Sequence, residues 1–199
     1  MKLILVRHGE TTGNSSQHYW GATDVALSKS GLKQAESLAQ KLRGETIHGA
    51  YCSMLKRAVA TAAEITRGHG VTANVCTELN EMNFGLMEGL TAHEIRDRYP
   101  EFHEKWVSWD TDFEFPGGES VSGFRVRVAR FPTRLVHHDS PATILVVAHA
   151  GVLRMLICEL LELPFSYWRR LRLDLGSVST VQYASAGSVL TGLNDTSHL

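Results

Sequence analysis

Short apolar runs alternate along this chain with longer segments in which apolar residues recur at helical spacing. Residues 2–6 (KLILV), 48–52 and 143–148 (TILVVA) are compact runs rich in strand-forming residues. Such runs are typical of strands buried within a sheet. The first is followed by Arg7-His8-Gly9 and the last by His149-Ala150-Gly151, so both are predicted to deliver polar groups at their carboxyl ends.

Helical spacing accounts for much of the chain between these runs. Residues 30–43 place one set of apolar residues on a single face: Leu32, Ala35, Leu38, Ala39 and Leu42. Further helices are predicted over residues 55–66, with Ser53 as a capping residue, around 91–98, over 119–136 and over 152–161. Two strand-like runs within 178–194 predict a hairpin around Ser185-Ala186-Gly187.

Strands that alternate with helices predict the α/β class, as a three-layer α/β/α sandwich with a largely parallel central sheet. A length of 199 residues suits one domain that spans residues 1–199. Ligands of such sheets bind beyond the carboxyl ends of the strands. Because His8 and His149 both follow such ends, we expect them to meet in one site.

Composition narrows the class of protein. The apolar and charged fractions, 43% and 21%, are ordinary for a soluble globular chain, and a net charge of -1 gives no general affinity for nucleic acid or anionic membranes. The cysteines, Cys52, Cys76 and Cys158, form no recognisable disulfide or metal-binding pattern. The apolar run at the N-terminus is too short for a signal peptide or a membrane span. We therefore expect a cytoplasmic protein without a nucleic-acid or membrane partner.

Four segments carry residues suited to phosphoryl chemistry. His8 is a competent nucleophile when it is neutral, and the planar forks of Arg7 and Arg57 match phosphate oxygens. Glu81 can act as a general acid if partial burial raises its pKa against the lowering effect of the arginines, and His149 can donate to a phosphoryl oxygen. Taken singly, each has a plain alternative: chance loop chemistry for the first segment, solvated surface groups for Arg57 and Glu81, and a core histidine for His149.

Taken jointly, the segments resemble the histidine phosphatase superfamily, which includes phosphoglycerate mutases. The resemblance is carried in order by RHGET at 7–11, SMLKRA at 53–58, Glu81 with Gly85, and strand-His149-Ala150-Gly151. It covers nearly the whole chain and extends to Asn14, to residues 24–31 with Gln34-Ala35, and to PGGES at 116–120. It implies a phosphoglycerate mutase-like fold.

The resemblance also implies roles for individual residues. His8 would be the phosphorylated nucleophile, and Glu81 the proton donor to the leaving group and later the base for water. The phosphoryl oxygens would be held by Arg7, Arg57 and His149. The phosphate pocket would be lined in addition by Asn14, Thr11 and Thr23. Positive charge around His8 should keep its ring neutral. Neither a metal nor another cofactor is expected, the expected partner is a small phosphorylated substrate, and a homodimer is among the assemblies left open.

Within the superfamily, the chain is most similar to alpha-ribazole phosphatases of cobalamin synthesis. The similarity includes Glu88-Gly89 after Phe84-Gly85, while Met87 stands where such sequences often have an aromatic residue. The expected reaction is hydrolysis of a small phosphomonoester, with alpha-ribazole 5'-phosphate as the leading candidate. A phosphoglycerate mutase, a broad-specificity sugar or nucleotide phosphatase, and a non-catalytic phospho-ligand-binding module are the alternatives. The variable segment 86–118 is expected to be cap-like. Three aromatic residues there could stack on a substrate or pack within a lid: Phe102, Trp106 and Trp109.

Overall fold

The computed structural model describes residues 1–13, 18–108, 112–184 and 186–199, which form one mixed six-stranded sheet with helices on both faces. The strands are β1 (Lys2–Arg7), β2 (Gly49–Cys52), β3 (Ala73–Val75), β4 (Thr143–Ala148), β5 (Val178–Gln182) and β6 (Val189–Asp195), in the spatial order β3-β2-β4-β1-β5-β6. The first four of this order are mutually parallel, whereas β5 is antiparallel to β1 and to β6. The prediction of a largely parallel sheet and a terminal hairpin is confirmed.

Alternate side chains of the central strands serve two separate cores. The described residues form six α-helices: α1 (Lys29–Leu42), α2 (Lys56–Thr66), α3 (Ala92–Arg98), α4 (Pro100–Val107), α5 (Val121–Val128) and α6 (Ala150–Leu160). Ile4 and Val6 of β1 belong to a core with α1 and α2, while Leu3 and Leu5 belong to a core with α5 and α6. Since neighbouring strand residues point to opposite faces, this alternation produces the expected three layers.

The pairing register of β1 and β4 positions the candidate site. Lys2 lies opposite Thr143 at one end, and Arg7 lies opposite Ala148 at the other, so the two strands finish level. The backbone N–H of His8 continues the pairing by donating to the carbonyl of Ala148 at 3.0 Å. The residue that follows each strand is a histidine, and the two histidines therefore emerge side by side.

The predicted face of α1 is wrong at Leu32 and only partly correct at Ala39, which is half-buried. Leu32 is 51% exposed, and the buried face consists of Gly31, Ala35, Leu38 and Leu42. Gly31 sits directly against the chain that follows β1, where a Cβ atom would come within 2.0 Å of the carbonyl oxygen of Glu10. This contact sets the rotation of the helix and turns Leu32 towards solvent.

The start of α2 and the predicted helix over 119–136 also differ from the prediction. Ser53 is not the cap of α2: the capping position is Leu55, and Ser53 Oγ accepts the N–H of Leu55 while donating to Asn80. The predicted helix over 119–136 is divided into α5 and a 3₁₀ helix at Phe131–His137. Pro132 has no N–H to donate to the preceding turn, which prevents the α-helix from continuing.

The segment 86–118 consists of short elements. A 3₁₀ turn at Gly85–Met87 is followed by α3, which has a capping box formed by Thr91 and Glu94, and by α4. Trp106 of α4 is 7% exposed and packs against Phe115 and Trp168, while Trp109 lies outside the described residues. No helix in the described part of the chain is long and apolar enough to cross a membrane.

Candidate active site

His8 and His149 form the centre of the site. Their ring centroids are 4.9 Å apart in an edge-to-face arrangement, and the two residues are 6% and 1% exposed. His8 Nδ1 lies 2.7 Å from the carbonyl oxygen of Gly9. Because a carbonyl only accepts, Nδ1 must carry the proton, which leaves a lone pair on Nε2 of the neutral ring.

His149 has the opposite protonation pattern. Its Nδ1 accepts a hydrogen bond of 3.2 Å from Arg57 Nε, so in the neutral ring the proton resides on Nε2. This Nε2 is buried and has no hydrogen-bond partner among the described residues. In the neutral rings, Nε2 of His8 therefore has a free lone pair, as a nucleophile requires, whereas Nε2 of His149 carries a proton that it can donate to an oxyanion.

Arg57 is 1% exposed, and most of its hydrogen bonds go to backbone carbonyls. Besides the bond to His149, its guanidinium donates to the carbonyls of Thr23 at 2.8 Å, Gly21 at 2.7 Å and Trp20 at 3.3 Å. Four of its five N–H groups are therefore committed to described residues, and one remains for a ligand. The carbonyls come from one stretch, Trp20-Gly21-Ala22-Thr23, which we call loop 20–23.

Burial and positive charge keep both rings neutral. Burial, followed by the charges of Arg57 and Arg7, holds the pKa of His8 well below its ordinary value of 6.5. Burial and then Arg57 lower the pKa of His149 in the same way. Burial also lowers the pKa of Arg7 to about 10, which still leaves its guanidinium charged at neutral pH. The expectation that nearby cations disfavour protonation of His8 agrees with this arrangement.

Glu81 reaches the site through the start of α6. This helix begins at Ala150, two residues before its predicted start, so the N–H of Gly151 is one of the unpaired donors of its first turn. Glu81 Oε2 accepts that N–H at 3.0 Å, and Oε1 accepts the N–H of Met82 at 3.0 Å. A Cβ atom at position 151 would come within 2.4 Å of Glu81 Oε1, which explains the glycine.

A cavity of about 760 Å³ extends from these residues, lined at one end by Arg7, Glu81 and Gly151. Its remaining lining includes an aromatic wall: Tyr19, Trp20, Phe84, Trp106 and Trp168. Segment 86–118 contributes Thr91, Ala92, His93 and Trp106 to the lining. The described residues include no group of three or more His, Cys, Asp or Glu side chains arranged to hold a metal ion.

The three further residues predicted to line the phosphate pocket differ in where they lie. Asn14 lies outside the described residues. Thr11 is buried near His8, and its Oγ1 has no hydrogen-bond partner in the described chain. Thr23 is exposed and contacts Arg57 through its backbone carbonyl. The structure thus brings together His8, His149, Arg7, Arg57 and Glu81, and it gives Thr23 a backbone contact with this group.

Sequence reasoning identifies Glu88 only within the Glu88-Gly89 pair and as an alternative acid to Glu81, and it assigns no role to Arg154. Glu88 accepts four backbone N–H groups, from Phe84 and from Gly21, Ala22 and Thr23 of loop 20–23. Arg154 lines the cavity one helical turn after Gly151, and its buried Nε has no partner within the described residues. The spacing of Arg154 on α6 could have indicated its position, whereas nothing in the sequence shows that Glu88 contacts a loop more than 60 residues away.

Comparisons with known proteins identify the family of the chain. Residues 3–196 match the model of the histidine phosphatase superfamily (branch 1). The adenosylcobalamin/alpha-ribazole phosphatase of Salmonella typhimurium is 36% identical over 98% of this chain and 96% of that protein, and phosphoserine phosphatase 1 of Hydrogenobacter thermophilus is 34% identical over 100% and 94%. The crystal structure of the alpha-ribazole phosphatase from Shigella flexneri superimposes with a TM-score of 0.89, at 32% identity over 98% of this chain and 96% of that one.

The chain therefore belongs to the histidine phosphatase superfamily, as its motifs predicted. It is a phosphoric monoester hydrolase with the phosphoglycerate mutase-like α/β fold of this family.

Proposed function

We propose that this phosphatase hydrolyses alpha-ribazole 5'-phosphate through a phosphohistidine intermediate on His8. The observation that carries the proposal is the aromatic wall of the cavity that Arg7 and Glu81 also line. A volume of about 760 Å³ lies in the range that encloses a whole drug-sized molecule. Flat aromatic surfaces favour a leaving group that contains a ring system, such as a nucleoside with a benzimidazole base.

In the first step, the lone pair of His8 Nε2 attacks phosphorus, a P–N bond forms, and the P–O bond to the leaving group breaks. The hydrogen bond between Nδ1 and the carbonyl of Gly9 supports this step, because it stabilises the positive charge that develops on the ring. His149 Nε2–H donates to a phosphoryl oxygen, and Arg7 with the remaining N–H of Arg57 neutralises its charge.

Glu81 supplies the proton that the departing alkoxide needs. Its carboxyl group is held by the N–H groups of Met82 and Gly151, and all three residues line the cavity. In the second step, Glu81 takes a proton from water, the water oxygen attacks phosphorus, and the P–N bond breaks to release inorganic phosphate and neutral His8.

Phosphoserine is the second candidate, and Arg154 favours it. The buried Nε of Arg154 has no partner within the described chain, and a carboxylate on the leaving group would satisfy it. A phosphoserine phosphatase is among the relatives at similar identity. Alpha-ribazole carries no carboxylate, so the two substrates make opposite demands on this arginine.

Phosphate release from alpha-ribazole 5'-phosphate, phosphoserine and 3-phosphoglycerate, measured side by side, tests the proposal. We expect kcat/KM to be roughly 10- to 200-fold higher for the first, the range that one well-filled apolar subsite provides. 3-Phosphoglycerate should give inorganic phosphate and no 2-phosphoglycerate, which separates hydrolysis from mutase activity. Equal rates with many sugar and nucleotide phosphates would indicate a broad-specificity enzyme instead.

Arg154→Gln decides between the two named candidates. It should change kcat/KM for alpha-ribazole 5'-phosphate by less than about 3-fold but lower that for a carboxylate-bearing ester by roughly 10-fold or more. Arg67→Gln, at the exposed end of α2, is the matched control. If phosphoserine is turned over faster than alpha-ribazole 5'-phosphate, and Arg154→Gln removes this advantage, phosphoserine replaces alpha-ribazole 5'-phosphate as the proposed substrate.

A further inference from the structure

Glu88 lies at the centre of a set of hydrogen bonds that the phosphatase reaction, as proposed above, does not explain. Its Oε1 accepts the N–H groups of Ala22 and Phe84, both at 2.9 Å, and its Oε2 accepts those of Gly21 and Thr23, both at 3.1 Å. A carboxylate offers about four lone-pair positions, so these bonds saturate it. Glu88 therefore has no acceptor position left for a ligand and is not placed to replace Glu81 as the acid.

The backbone that Glu88 binds is loop 20–23, the same loop that holds Arg57. The N–H groups of this loop point to Glu88, while the carbonyls of Trp20, Gly21 and Thr23 accept from the guanidinium. The loop is closely packed at Gly21, where a Cβ atom would come within 1.9 Å of the carbonyl oxygen of Met82. Glu88 therefore binds the N–H groups of this loop, and Arg57 binds its carbonyl groups.

Arg57 connects this loop to His149 through a hydrogen bond. Its Nε donates to His149 Nδ1 at 3.2 Å, which keeps the proton of the neutral ring on the buried Nε2. If the guanidinium moved, Nδ1 would lose its donor, and the ring could carry its proton on either nitrogen. Only the form protonated on Nε2 keeps the donor arrangement in which the proposed reaction uses His149.

We propose that Glu88 is a positioning residue for phosphoryl transfer: it fixes loop 20–23, the loop fixes Arg57, and Arg57 fixes the protonation pattern of His149. The inference rests on the proposed role of His149 as the donor to the phosphoryl group. It extends the working site to a carboxylate that contacts none of the reacting atoms.

Glu88→Gln is a sharp test because the amide has a similar shape and only one acceptor oxygen. Its NH₂ group would face two of the four N–H groups and repel them. We expect kcat to fall roughly 10- to 100-fold with little change in KM, somewhat less than the 10²- to 10³-fold loss from removing an oxyanion donor outright. Glu88→Asp keeps the charge with a shorter side chain and should recover part of the loss.

The readout that separates positioning from mere loop stability is the ring of His149. Long-range ¹H–¹⁵N spectra of histidine-labelled protein, assigned with a His149→Gln variant, should show Nε2 protonated in the wild type and a mixture of both forms in Glu88→Gln. Asp195→Asn is the control, because Asp195 also accepts a backbone N–H, from Ser197, at the far edge of the sheet. It should leave kcat and the His149 signal unchanged.

A double-mutant cycle tests whether Glu88 acts through Arg57. If Glu88 acts through Arg57, Glu88→Gln should add nothing further to the loss of kcat caused by Arg57→Gln. Additive losses, or a folded Glu88→Gln protein with the wild-type His149 signal, would overturn the inference. If Glu88→Gln does not fold, the same measurements on Glu88→Asp and on the wild type test the inference. A wild-type His149 that is protonated on Nδ1 would also overturn the inference. Absence of labelled phosphohistidine in the wild type would instead count against the proposed reaction.

Discussion

The histidine site and the aromatic wall are linked by Arg7 and Glu81, which line the cavity, but the two regions are built from different kinds of structure. His8, His149 and Arg57 follow the strands of a parallel sheet or lie at the start of a helix, and each is 6% exposed or less. Tyr19 and Phe84 lie in connecting segments, and Trp168 lies in a 3₁₀ helix. The residues proposed to bind and accept the phosphoryl group thus lie where the backbone is most constrained, while much of the aromatic wall lies in segments that can vary without disturbing the sheet.

The largest effect should come from His8→Ala, which removes the proposed nucleophile from the histidine site. Loss of a nucleophile typically lowers kcat by roughly four to six orders of magnitude. Rapid labelling of the protein by a phosphorylated substrate should disappear, because the acid-labile P–N bond can no longer form. The aromatic wall does not depend on His8, so binding of the dephosphorylated product should persist in the variant. Near-native turnover would contradict the covalent mechanism.

Glu81→Gln probes the junction between the two regions. Without a proton donor, kcat for an alkyl ester should fall by roughly 10²- to 10⁴-fold, whereas p-nitrophenyl phosphate should lose less than about 10-fold, since its leaving group needs little protonation. Burst kinetics with both esters should be recorded so that slow dephosphorylation does not hide the contrast. Equal losses in the phosphorylation step would show that Glu81 is not the acid.

Arg57→Gln tests how far the histidine site depends on one buried charge. We expect kcat to fall by roughly 10²- to 10³-fold, with weaker competitive inhibition by vanadate. The positive charge of Arg57 lowers the pKa of both His8 and His149, so its removal should raise both values. Because the neutral nucleophile is lost as pH falls through the pKa of the coupled pair, the acid limb of kcat/KM should move to higher pH. An unmoved limb would mean that burial alone keeps these rings neutral.

The same contrast explains what the sequence could and could not predict. His8 and His149 were predictable because apolar runs mark buried strands, and the carboxyl ends of parallel strands share one edge of the sheet. The start of α6 was placed too late because Gly151 looks like a loop residue, although its glycine makes room for Glu81. The contacts of Glu88 with loop 20–23 escaped prediction altogether, since backbone N–H groups leave no mark in a sequence.

The smallest expected effect belongs to the aromatic wall, where Trp106→Phe replaces an indole by a smaller ring. Trp106 lies edge-on to Phe115, with ring centroids 4.9 Å apart, and beneath the guanidinium of Arg169, 4.2 Å from the ring centre. Losing part of these contacts should lower the free energy of unfolding by about 1–2 kcal/mol. It should lower kcat/KM for alpha-ribazole 5'-phosphate by roughly 3- to 10-fold while leaving kcat for p-nitrophenyl phosphate within about 2-fold. Phe131→Leu is the matched control, because Phe131 is also buried in the same core but does not line the cavity. It should reduce stability without changing the ratio of the two activities. A ratio that changes equally in both variants would show that the wall supports the fold rather than selects the substrate.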